Sequence, residues 1–267
     1  MFAKSDWIIE MVKRNHGNQS TIHKVTASID HLTYYPSPSY RLRNDQNHVQ
    51  VIAMIRPQTP RRNSMVCLDL VLKLAHEFKA IEPTNSHPES KSDPVVSVIL
   101  FGCPRWAVMQ LFTQLTKLYG PAPHRTKSVL FGPNVRVLEV VKSRFSLADL
   151  YRQSDLFVDV SWWQAFGRSG VEAMACGTVP IFPLESAAPE VCEGGRSCVY
   201  HDGDDVKGFY ETISSLVRNH THRRLLSKEG LRRSEDYTVE SASASIISTL
   251  KSGLDRWRSR LSSKRDI

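Results

Sequence analysis

Between residues 46 and 240, short unbroken apolar runs alternate with stretches in which apolar positions recur every three or four residues. The runs VQVIAMI (49–55), VVSVILFG (95–102), NVRVLEV (134–140), LFVDV (156–160), VPIF (179–182) and SCVYH (197–201) predict strands. Helices are predicted over 64–78, 106–120 and 146–154, around 169–176, near 187–192, and over 205–218 and 221–233, followed by a helical tail. Strands of four to eight apolar residues suit a sheet buried on both faces. Strands alternating with helices give an α/β fold with a doubly wound, Rossmann-like parallel sheet. Its ligands are expected at the carboxyl ends of the strands. The loops to inspect are therefore 56–63, 102–105, 161–170 and 183–189.

The pattern divides the chain into three parts. Residues 1–45 hold a helix-like run over 7–17, a candidate strand over 22–30 and a Pro-containing loop over 34–45, too little for a domain. Residues 46–240 make the sheet domain, interrupted by a polar, Pro-rich excursion at 82–94. Residues 241–267 form a terminal helix that places Leu250, Leu254, Trp257 and Leu261 on one side. Its last 17 residues carry six Lys or Arg against two Asp, which makes it basic and amphipathic. Such a helix either packs one face on the protein or lies on a membrane surface.

Composition narrows the choices. No apolar run approaches the roughly 20 residues of a membrane helix. The first 17 residues lack the apolar core of a signal peptide, so a cytoplasmic location is expected. A net charge of +8 favours an anionic partner such as a phosphorylated substrate. Nucleic acid is disfavoured, because base stacking needs aromatics set among basic residues and only the Trp257 region offers any. The five cysteines form no C-x-x-C pair, so each is expected to be a small buried hydrophobe without disulfide or zinc. The acidic run HDGDD (201–205) is read as a helix N-cap by Asp204 or Asp205, and no metal is expected.

Two loops carry chemistry. RPQTPRRN places Arg56, Arg61 and Arg62 after the first full strand, where guanidinium forks and a helix N-terminus suit a diphosphate. SWWQAFGRSGVEAMACG follows the strand 156–160. There Gly167 and Gly170 would let backbone approach a ligand, and Glu172 either complements the helix dipole or accepts from vicinal hydroxyls such as those of a ribose. Trp162 and Trp163 are candidates to wall such a site, with one of them turned into the core.

QAFGRSGVEAMACGTVPI resembles the hallmark segment of the retaining GT-B glycosyltransferases of family 4 (group 1), a Glu-x7-Glu pattern. IDHLTYYP, MIRPQTPRR, SLADLYRQSDLFVDVS and APEVCEGGRSCVYHDGDD resemble other motifs of that family, in order, over roughly residues 1–250. The resemblance implies the carboxy-terminal, donor-binding half of a GT-B fold. It implies that Glu172 holds the ribose of a nucleotide sugar and that Gln164 contacts the sugar hydroxyls. Backbone N–H groups from Phe166 through Gly167 and Arg168 to Ser169 would meet sugar and phosphate. Arg56 with Arg61 or Arg62 would neutralise the diphosphate as the sugar bond breaks. The donor is a substrate, so no cofactor is implied.

Three departures from the family pattern stand out. Gln164 replaces the first Glu, Arg61 or Arg62 replaces a Lys, and Ala187-Ala188 replaces a Gly pair. The resemblance also covers only the second of two domains. Two readings follow. One is a transferase to a glycan or lipid-linked acceptor that needs an amino-terminal half on a partner chain. The other is a non-catalytic nucleotide-sugar-binding or interaction module.

Overall fold

The computed structural model describes residues 1–17, 22–37, 46–79 and 93–263, with side chains as far as 259. Most of the predicted 34–45 loop and of the 82–94 excursion, and the side chain of Leu261, lie outside the described residues.

Six parallel strands build one sheet: β3 (His48–Met54), β4 (Val95–Phe101), β5 (Val135–Val137), β6 (Leu156–Val158), β7 (Val179–Pro183) and β8 (Val199–His201). Their order is β5-β4-β3-β6-β7-β8, all parallel, which is the doubly wound arrangement expected from the alternating pattern. The order reverses between β3 and β6. There, connections leave the sheet to opposite sides and open a crevice at the strands' carboxyl ends.

Side-chain alternation explains why the strands are apolar throughout. Val49, Val51 and Ala53 of β3 enter one core with Val96, Val98 and Leu100 of β4. Ile52 and Met54, with Ile99 and Phe101, enter the other. The first core is roofed by α2 (Ser64–Glu77), α3 (Arg105–Tyr119) and α8 (Val206–Arg218). The second holds α5 (Arg144–Arg152), α6 (Arg168–Ala175) and residues from the segment 27–34. Each large apolar side chain taken out of water contributes roughly 1.5–3 kcal/mol, so the doubly covered sheet is the stable solution for this pattern.

Helix ends follow their capping residues. Ser143 accepts from the Phe145 amide at the start of α5, and Asp205 accepts from Gly208 N–H at 2.9 Å to open α8. The acidic run at 201–205 thus supplies an N-cap, as its position before a helix predicts. Helix α9 (His220–Ser234) packs against α6, and the long α10 (Val239–Ser263) ends the described chain.

The amino-terminal segment departs from expectation. Only His23–Lys24 of the predicted 22–30 strand is paired (β2), with a strand at Phe2–Ala3 (β1) that the pattern does not reveal, in a separate two-stranded parallel sheet. Between them lies α1 (Asp6–His16), which has no buried residue. Also unforeseen is the one-turn helix α4 (Lys127–Leu130). On α10, Leu250, Leu254 and Trp257 are all exposed, so their side of the helix is not packed within the described chain.

The cysteine expectation is corrected. Cys192 and Cys198 form a disulfide across the turn between α7 (Ala188–Val191) and β8, while Cys67, Cys103 and Cys176 are free and buried. A loop of this size brings two Cα atoms to 4.7 Å, within disulfide reach. The six-residue spacing was the only signal in the sequence.

Candidate functional site

Both chemistry-bearing loops meet at the crevice between β3 and β6. The first leaves β3 through Ile55 and Arg56, turns through a short 3-10 segment at Pro60–Arg62, and enters α2 through Asn63. Pro60 opens that segment, where its missing N–H costs nothing, and Ser64 Oγ accepts from the Arg56 amide at 2.9 Å. The second loop leaves β6 at Asp159 and runs to Gly167, the N-cap of α6.

A buried polar group joins the two loops. Asp159 and Ser161 are nearly fully buried, and the Asp159 carboxylate accepts from the Ser161 amide at 3.0 Å and from its hydroxyl. Arg62 Nη1 reaches Asp159 Oδ2 and Ser161 Oγ, each at 3.3 Å, with 13% of its side chain exposed. The Trp162 amide donates to Arg61 C=O at 2.7 Å. Removing one partner of such a pair strands a buried charge.

This geometry divides the three arginines. Arg62 is turned inward to Asp159, which corrects its expected place on the ligand. Arg56 and Arg61 are exposed at the crevice. Of the two residues offered as the second member of the basic pair, Arg61 is the exposed one, and Arg62 is tied to Asp159. Sequence reasoning missed Asp159 and Ser161. Their signal was present: an acid inside the otherwise apolar run LFVDV needs a partner.

The glycines of the second loop also receive a different explanation. A Cβ on Gly170 would come within 1.9 Å of the Phe182 ring, and one on Gly167 within 2.9 Å of it. Phe182 is fully buried, so these positions are small to admit the ring rather than a ligand. Gly167 additionally adopts φ 78°, which a glycine tolerates best. The Phe166 side chain likewise faces the core, edge-on to Tyr237 at 5.0 Å.

The amides of Phe166 and Gly167 have no acceptor among the described residues. Those of Arg168 and Ser169 open α6, where no intrahelical acceptor exists. Four successive N–H groups without a backbone acceptor thus lie at the positive end of a helix, a setting suited to an anion. Ser5 Oγ donates to Ala165 C=O at 2.5 Å, which ties the segment before α1 to this loop.

Gln164 and Glu172 stand on either side of the turn. Gln164 is 5% exposed, and its carbonyl accepts from the Ala187 amide at 3.0 Å. Its Nε2 is buried without an acceptor among the described residues. Glu172, in the second turn of α6, is half-buried, and no described residue hydrogen-bonds its carboxyl. Burial pushes that carboxyl up to about 7, against a smaller opposing effect of the Arg168 guanidinium. Trp163 is exposed at φ 54°, while Trp162 is half-buried against it with ring centroids 6.1 Å apart. Met174 and Cys176 pack in the core.

A cleft of about 750 Å³ lies elsewhere, at the amino-terminal end of β3. It is lined by Glu77, Tyr210, Arg218 and His220 among others, and it shares no residue with the loops above.

Residues 114–219, which include the whole second loop and α6, match the family model described as glycosyl transferases group 1. These residues are thus similar to the group 1 glycosyl transferases. A D-inositol 3-phosphate glycosyltransferase from Salinispora tropica is 21% identical over 263 residues, covering 95% of this chain and 50% of that protein. Sucrose-phosphate synthase from Thermosynechococcus elongatus superposes with a TM-score of 0.71 at 14% identity, over 96% of this chain and 58% of the other. Anabaena Alr3699/HepE, solved with UDP and glucose, gives 0.68 at 18% identity, over 94% and 62%. The chain thus spans about half the length of the curated relative that it matches end to end. These structural likenesses establish the Rossmann-like half of a GT-B fold.

Proposed function

We propose that the crevice between β3 and β6 binds the nucleoside diphosphate of an activated sugar, as the donor half of a retaining glycosyltransferase. The observation that carries this reading is that the loop bearing Arg56 and Arg61 and the loop and helix bearing the amides of 166–169 and Glu172 leave neighbouring strands at the switch point of the sheet. In it, Arg56 and Arg61 oppose the diphosphate charge as the glycosidic phosphate bond breaks, acting on charge that develops in the transition state. The amides at the start of α6 take phosphate and sugar oxygens. Glu172, once ionised, accepts from the vicinal ribose hydroxyls. Arg62, Asp159 and Ser161 hold the two loops in register, so they are positioning residues.

The acceptor, a glycan or lipid-linked sugar, is placed in this reading on an amino-terminal half that completes the cleft, carried by another chain or by more of the same one. A second reading, a binding module without turnover, is favoured by one feature: Gln164 stands where the family carries a carboxylate, and an amide offers no negative charge to an oxocarbenium-like centre. Titrating the chain with UDP-, GDP-, ADP- and dTDP-activated sugars tests the shared core of both readings. One nucleotide class is expected to bind in the micromolar range with Arg56→Ala weakening the diphosphate far more than the nucleoside. Equal losses for the two ligands would remove Arg56 from the phosphate site.

A further inference from the structure

We infer that Gln164 and Arg168 adapt this site to a donor sugar bearing a carboxylate, that is, a nucleotide-activated uronic acid. The inference rests on the donor-site reading above and names the class of sugar that it takes.

Gln164 is held rigidly. Its backbone pairs with Ser186 in an isolated parallel bridge, its carbonyl takes the Ala187 amide, and its side chain is buried. The amide lies against the N-cap of α6, with Oε1 3.4 Å from where a Cβ on Gly167 would stand. Nε2 nevertheless finds no acceptor among the described residues. A buried donor left without an acceptor is costly to the fold. Turning the amide over only puts Oε1 in the same buried place. The group is complete when a ligand brings an oxygen acceptor to it, and it sits beside amides that also lack acceptors.

The charges nearby point the same way. Arg168 is exposed at the first position of α6 and near enough to act on the Glu172 carboxyl. A Glu at position 164 would repel a sugar carboxylate; the neutral amide removes that repulsion and supplies a donor instead. Asp159 is buried and paired with Arg62, so it does not oppose an acidic ligand. Glu185 is exposed, and its carboxylate lies 3.8 Å from where a Cβ on Gly203 would stand, beyond the end of β8. The donor reading assigns Glu172 to the ribose, several bonds away from the sugar ring's far side.

Calorimetric titration of the full chain with UDP, UDP-glucose, UDP-N-acetylglucosamine and UDP-glucuronate tests this. UDP-glucuronate is expected to bind at least about fivefold more tightly than either neutral sugar nucleotide. Gln164→Glu, nearly the same shape, should weaken UDP-glucuronate roughly tenfold more than it weakens UDP. Arg168→Leu should weaken UDP-glucuronate alone. If UDP binds but the sugars rank equally, or the N-acetyl sugar leads, the carboxylate assignment is overturned and the donor site stands. If UDP itself does not bind, the donor-site reading for uridine nucleotides falls, and this inference falls with it.

Discussion

Glu172 has a carboxyl drawn out of water beside an anion-binding turn, and the pH response follows from that position. Burial raises its value in the folded chain from 4.5 to about 7. A carboxyl raised on folding favours the native state at low pH, and that advantage is lost as pH rises from the ordinary value through the folded one. Glu172→Gln should therefore leave stability unchanged near pH 4 and raise it by roughly 2–3 kcal/mol at pH 8. Urea unfolding at the two pH values measures this, and an equal effect at both would mean that the carboxyl is not buried. Such an ionisable group kept at a cost to folding is what a binding role predicts. At this scale the sequence was informative about residue types and less so about directions. The pairing of Arg56 with Arg61 rather than Arg62 was undecided, because nothing in RPQTPRRN says which guanidinium turns inward. Asp159, the partner that turns Arg62 inward, lies 97 residues further along than Arg62.

At the level of elements, the strand-loop-helix units at β3 and β6 were legible because their strands are uniformly apolar and their helices periodic. Their joining was not. Gly167 and Gly170 read from the sequence as a ligand approach, and only the position of Phe182 on β7 shows that they make room for a ring. The short elements escaped for a different reason: β1 and β2 are two residues each and α4 is four, below any usable period. The clasp between loops leads to a contrast between neighbours. Arg62→Ala should cost about 3 kcal/mol of stability, since it leaves the Asp159 carboxylate buried without its cation. Arg61→Ala should change stability by under about 0.5 kcal/mol and instead weaken diphosphate binding. Thermal melts and nucleotide titrations of both variants separate the roles, and a large stability loss from Arg61→Ala would reverse the assignment.

Across the whole molecule, alternation of apolar strands and helices carried the doubly wound sheet, and both chemistry-bearing loops leave it at the switch point between β3 and β6. The structure adds the bond from Ser5 to Ala165, by which the amino-terminal segment reaches the donor loop. It also adds the disulfide in the turn before β8, which no spacing motif announced. No helix among the described residues is long and apolar enough to cross a membrane. The central claim is that the crevice holds a nucleotide through Glu172. Calorimetry of UDP against the parent chain and Glu172→Ala at pH 8, where the carboxyl is ionised, tests it most directly. The account predicts micromolar binding by the parent and a loss of about tenfold in the variant, equal for UDP and its sugar conjugates. Identical affinity in the two proteins, or a loss confined to the sugar conjugates, would contradict it.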